Sequence, residues 1–136
     1  MTGVVLAEDN RGVRDALIDL LNSAPDITVL GHCEDGDELL ACVERTDPQV
    51  VLVDIGMARV NGLEATRRLL AARPGTRVIV LTASLSAVLV REALDAGAVG
   101  YQLKGDDPAD LLTAIRAVAR GDTAWSPSAA ALFPVG

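Results

Sequence analysis

The chain has 136 residues, half of them hydrophobic but only 2% aromatic, and a net charge of −7. That length is one ordinary domain, with enough apolar material for a core built from Val, Leu, Ile and Ala. The acidic balance argues against non-specific nucleic-acid binding, no apolar run approaches the roughly 20 residues of a membrane span, and the first residues enter a strand pattern rather than a signal peptide. These features together lead us to expect a cytoplasmic protein with no membrane contact. Cys33 and Cys42 are too few for a disulfide scaffold and match no metal motif, so they read as free thiols.

Taken in chain order, short apolar runs alternate with stretches of helical period. Residues 4–7 read as a buried strand. Asn10 then caps a helix carrying Val13, Leu17, Leu20 and Leu21, which ends at Ala24-Pro25. A second strand covers residues 27–30 and closes at an Asp35-Gly36 turn. Leu39, Leu40 and Val43 mark a short helix that stops at Asp47-Pro48. The β-branched run 50–53 is the clearest strand. It is followed by a helix with Leu63, Leu69 and Leu70 that ends at Arg73-Pro74-Gly75. Residues 78–81 form a fourth strand, and about 88–96 an Ala-rich helix with Gly97 as its C-terminal stop. Residues 98–103 form a fifth strand. Asp107 and Pro108 open a last helix bearing Leu111, Leu112, Ile115 and Val118. After Gly121 the pattern weakens, so residues 1–120 are assigned to one domain and 121–136 to a linker or tail. Trp125, just past the last helix, is expected at the end of the sheet opposite the strand C-termini.

Five βα units with uniformly apolar strands imply an α/β fold, a doubly wound parallel sheet with helices on both faces. The flavodoxin-like strand order 2-1-3-4-5 suits it. In such a sheet, functional groups collect at the carboxyl ends of the strands. Those ends carry Glu8 and Asp9 after the first strand, Asp54 after the third, Thr82 after the fourth and Lys104 after the fifth. Lys104 is the only lysine among 12 basic residues. Singly, each residue is ordinary: an Asp after a strand is most often a turn or cap, and a lone Lys is most often solvated. Their joint placement on one edge is informative. Three converging carboxylates repel, and a hard divalent cation such as Mg²⁺ relieves them, while a hydroxyl and an ammonium opposite suit phosphoryl oxygens.

This arrangement resembles the receiver domain of two-component response regulators over residues 1 to about 120. That family has an acidic pair, a phospho-accepting Asp, a Thr or Ser and a Lys at these strand ends. The run Gly100-Tyr101-x-x-Lys104 and the Gly121…Trp125-Ser126-Pro127 ending are most similar to the NarL/FixJ type, whose receivers precede a LuxR-type helix-turn-helix. The resemblance implies that Asp54 takes a phosphoryl group from a sensor histidine kinase. It implies Mg²⁺ held by Asp9 and Asp54, by Glu8 through water and by the Gly56 carbonyl. Lys104, the Thr82 hydroxyl and the Ala83 backbone N–H would hold the phosphoryl oxygens. Thr82 would then move toward the phosphate while Tyr101 turns inward. The protein would be a switch rather than an enzyme, although it promotes its own phosphorylation and dephosphorylation. It would dimerise on phosphorylation and reach DNA only through an output domain absent from this chain. Met57-Ala58 departs from the Met-Pro common in the family, which implies a looser loop, and Lys104-Gly105 replaces the Lys-Pro with its cis proline.

Competing readings fit less well. A flavodoxin cradles phosphate with neutral groups, where Glu8 and Asp9 would repel it. A haloacid dehalogenase-type phosphatase needs a second Asp two residues after the first, where Gly56 stands. A phosphorylation-independent interaction module of the same fold remains the alternative.

Overall fold

In the computed structural model, residues 1–57 and 61–133 are described. Their elements alternate along the chain: β1 (Thr2–Ala7), α1 (Arg11–Asn22), β2 (Ile27–Cys33), α2 (Gly36–Thr46), β3 (Val50–Asp54), α3 (Gly62–Ala72), β4 (Arg77–Thr82), α4 (Ala87–Ala96), β5 (Gly100–Leu103) and α5 (Pro108–Ala119). The chain continues with β6 (Ala124–Trp125) and α6 (Pro127–Ala130). All strand pairs are parallel, in the order β2-β1-β3-β4-β5-β6.

The period of two along a strand explains why the central strands are apolar throughout. Val4, Leu6, Leu52 and Ile79 face a layer holding Leu21 and Ile115, whereas Val5, Ala7, Val51 and Val53 face Leu39, Val43 and Leu69. Both faces are covered, so neither set can be polar. The helix starts follow the capping logic: Asn10 accepts from the Val13 N–H at 3.0 Å, and Asp107 from the Ala109 N–H at 2.9 Å with Pro108 behind it. Gly97 closes α4 at φ +97°, a left-handed turn that glycine adopts without strain. Asp35 and Gly36, expected as a turn, are the cap and first residue of α2.

The expected five-strand order stands, with two differences. β2 runs on to Cys33 because its register with β1 slips between Val4 and Val5. Val4 pairs with Val29 and Val5 with Gly31, which leaves Leu30 as a half-exposed bulge. The second concerns the segment read as a linker or tail. Gly121 reverses the chain at φ +96°, and β6 runs parallel to β5 with Trp125 in register with Tyr101. Trp125 therefore lies against Tyr101, not beyond the opposite end of the sheet. Ala58 and residues 134–136 lie outside the described residues.

One close approach has an energetic consequence. A Cβ on Gly62 would lie 2.1 Å from the Asp54 backbone oxygen and 2.7 Å from Val53 Cγ1. Only glycine lets α3 start this close to the end of β3. Gly62→Ala is expected to cost about 3 kcal/mol, the upper end of overpacking penalties, because the atom met is backbone and cannot step aside. Thermal melts should show a fall of roughly 10 °C; a variant melting with the wild type would mean that α3 is free to shift.

Candidate functional site

The parallel sheet brings the carboxyl ends of β1, β3, β4 and β5 to one edge. Glu8 and Asp9 follow β1, and the Glu8 N–H donates to the Cys33 carbonyl at 3.0 Å, which fixes the strand end. Asp54 ends β3, and its Oδ1 accepts from the Gly56 N–H at 3.1 Å. Ligand-capable oxygens of Glu8, Asp9 and Asp54 all lie within 4.8 Å of one another. Glu8 and Asp54 are buried and Asp9 is exposed, so the cluster has an inner wall and an open side.

Lys104 reaches into this cluster. Its Nζ lies 2.6 Å from Glu8 Oε1 and 3.4 Å from Asp54 Oδ1. Burial opposes the ammonium, but the two carboxylates outweigh it and hold the Lys104 pKa above the ordinary lysine value. Glu8 is pushed up to about 7, first by burial and then by the neighbouring Asp54 carboxylate, against the pull of Lys104. One ammonium thus does not balance the three acids. Glu8 Oε2 is buried and has no hydrogen-bond partner among the described residues. A buried orphan carboxylate oxygen in an all-oxygen, net-negative cluster fits a hard divalent cation such as Mg²⁺.

Thr82 ends β4 and is buried, with its Oγ1 accepting from the Ser84 N–H at 3.1 Å. The Lys104 N–H donates to the Thr82 carbonyl at 2.8 Å, locking the two strand ends together. Tyr101 is fully buried, and its hydroxyl donates to the Ser84 carbonyl at 2.8 Å. Tyr101 thus stands in the inward orientation. Ala83 is exposed beside Thr82.

Sequence reasoning missed several neighbours. Arg14 is buried in α1; its Nη1 donates to the Glu8 carbonyl at 3.2 Å and pairs with Glu34 Oε1 at 3.3 Å, tying the loops after β1 and β2. Its signal was available, because Arg14 stands three and seven residues before Leu17 and Leu21, in phase with the core face. Ser84, which connects Thr82 to Tyr101, carried none. Cys33 and Cys42 are free, and burial pushes the Cys33 thiol up to about 12, which makes it inert at neutral pH. No helix among the described residues is long and apolar enough to cross a membrane.

Residues 4–116 match the response regulator receiver domain family. The chain is 39% identical over 128 residues to the uncharacterized transcriptional regulatory protein YxjL of Bacillus subtilis, covering 94% of this chain and 59% of that one. It is 36% identical to the nitrate/nitrite response regulator protein NarL of Escherichia coli K12, covering 97% and 60%. This chain thus spans about three-fifths of the length of these two curated relatives. Among solved structures, a LuxR-family two-component response regulator from Aurantimonas sp. superposes with a TM-score of 0.93 at 30% identity, over 96% of this chain and 94% of that one. On this fold and these relationships, the chain belongs to the response-regulator receiver domains of two-component systems, in their NarL/LuxR branch.

Proposed function

We propose that this receiver is a phosphorylation-operated switch whose acceptor is Asp54. The observation that carries the reading is the Lys104 ammonium bridging buried Glu8 and Asp54 beside an orphan carboxylate oxygen. Asp9 and Asp54, Glu8 through water and the Gly56 carbonyl would hold Mg²⁺, which when bound supplies positive charge against the carboxylates and the incoming phosphoryl oxygens. An Asp54 oxygen forms the new bond to phosphorus in line as the phosphorus–nitrogen bond of a phosphohistidine, protonated on its other ring nitrogen, breaks, and the bonding pair leaves with nitrogen as neutral imidazole. The Lys104 ammonium takes one phosphoryl oxygen, and the Thr82 hydroxyl and Ala83 N–H take others. Moving Thr82 toward the phosphoryl group vacates space that Tyr101 fills, which favours the inward Tyr101 position. The donor is a sensor histidine kinase. Phosphorylation promotes homodimerisation, and DNA is reached through an output domain joined beyond residues 121–136, all in the cytoplasm.

The direct test is intact mass after incubation with acetyl phosphate and Mg²⁺: a gain of about 80 Da is expected for one phosphoryl group. An unchanged mass would favour the phosphorylation-independent interaction module. Lys104 provides a sharper check. Guanidinium is a wide planar fork and does not fit where Nζ sits 2.6 Å from a buried carboxylate. Lys104→Arg should therefore form the adduct at least about tenfold more slowly, a loss of one hydrogen-bonded charge contact. An equal rate would remove Lys104 from contact with the phosphoryl group.

A further inference from the structure

The segment Ala124–Phe133 is bound to the rest of the molecule as a ligand would be, on the face formed by α4 and β5. Its backbone completes the sheet: the Ala124 N–H donates to the Val99 carbonyl at 2.9 Å and the Ser126 N–H to the Tyr101 carbonyl at 3.0 Å. From the other side of β5, buried Gln102 donates through Nε2 to the Ala124 carbonyl at 2.7 Å. On the α4 side, Trp125 stacks on Tyr101 with ring centroids 6.2 Å apart and 18° between planes, and Phe133 meets Trp125 edge-on at 5.0 Å. Ala129 is fully buried, and Leu132 and Phe133 pack on the cluster containing Leu63, Val80, Val90 and Tyr101. All three of the chain's aromatic residues meet here.

The same four-residue strand that holds this segment ends beside the carboxylate site. Lys104 follows β5 directly, and the Tyr101 hydroxyl is bonded to Ser84, whose N–H is bonded to Thr82. Tyr101 therefore touches both the docked segment and the loop that leaves Thr82. The docked Trp125 stacks on Tyr101 in the inward position where it now stands. The switch proposed above favours that same position when Asp54 is phosphorylated. Two events that select one conformer reinforce each other, and the reinforcement is equal in both directions.

We propose that Ala124–Phe133 is a built-in ligand of the α4–β5 face whose docking is positively coupled to phosphorylation at Asp54, so that phosphorylation tightens the segment leading out of the domain. This rests on the switch reading, and the test separates the two. Beryllofluoride with Mg²⁺ serves as the phosphoryl mimic on the present chain, with fluorine NMR reporting occupancy and amide hydrogen exchange reporting docking. Exchange at Ala124 and Ser126 should slow roughly five- to tenfold on occupancy, within the ordinary range of allosteric coupling. Trp125→Ala should weaken beryllofluoride binding by the same factor, and Trp125→Phe, which keeps a stacking ring, should restore most of it. The exchange arm uses the wild type, so a poorly folded variant does not compromise it. No bound fluorine signal in the wild type would contradict the switch reading and the coupling with it. A bound signal with exchange at Ala124 and Ser126 unchanged or faster would overturn the coupling alone.

Discussion

Asp54→Asn is expected to abolish phosphoryl uptake while leaving the domain folded and, without divalent cations, more stable. The carboxamide has nearly the shape of the carboxylate but no nucleophilic oxygen, so uptake from a small phosphodonor should fall roughly 100-fold or more, to background. The fold does not depend on the lost charge, because Lys104 keeps its 2.6 Å contact with Glu8. Stability should rise because the Asp54 carboxylate is one of the groups pushing Glu8 up toward 7. Removing a like charge from a confined cluster relieves repulsion. Paired measurements of adduct mass and melting temperature in EDTA check both halves. A labelled variant would move the acceptor elsewhere, and a variant that melts lower would mean that the carboxylates are not in conflict.

Removing Mg²⁺ should give the protein a pH-dependent weakness that its restoration cures. In the metal-free fold Glu8 titrates at about 7, above its ordinary carboxyl value of 4.5. A raised folded pKa means that the native state binds the proton more tightly. The stabilising contribution is then complete below about pH 4.5 and is lost as pH rises through about 7. Metal-free protein should melt several degrees higher at pH 5.5 than at pH 8 on this account. Mg²⁺ should raise the melting temperature more at pH 8 than at pH 5.5, where Glu8 already carries a proton. Glu8→Gln should flatten the pH dependence. A wild-type melting temperature at pH 8 indifferent to Mg²⁺ would contradict a site formed by Glu8, Asp9 and Asp54.

The sheet and the placement of its edge residues were legible because they depend on features that a sequence carries locally. Residues 50–53 are β-branched or Leu without interruption, which only a strand buried on both faces requires, and β3 lies at the centre of the sheet. Once strand order follows from right-handed crossovers, the ends of β1, β3, β4 and β5 must meet. Glu8, Asp54, Thr82 and Lys104 are then neighbours by topology alone. What remained hidden depends on distances that no local pattern encodes. Gly62 looks like any helix-start glycine until the crossing of α3 over Asp54 is known. Ala124–Trp125 is too short to show a period of two, and its pairing comes from the turn at Gly121 and the Gln102 amide across β5. The Leu30 bulge was missed because Gly31 and His32 end the apolar run before the strand itself ends.

The central claim, that Asp54 accepts a phosphoryl group in a divalent-cation site, is tested most directly by peptide-mapped mass spectrometry of the wild type after acetyl phosphate treatment. The account predicts an adduct of about 80 Da confined to the peptide containing Asp54, formed with Mg²⁺ and absent with EDTA. An adduct on any other peptide, or one that forms equally in EDTA, would contradict it.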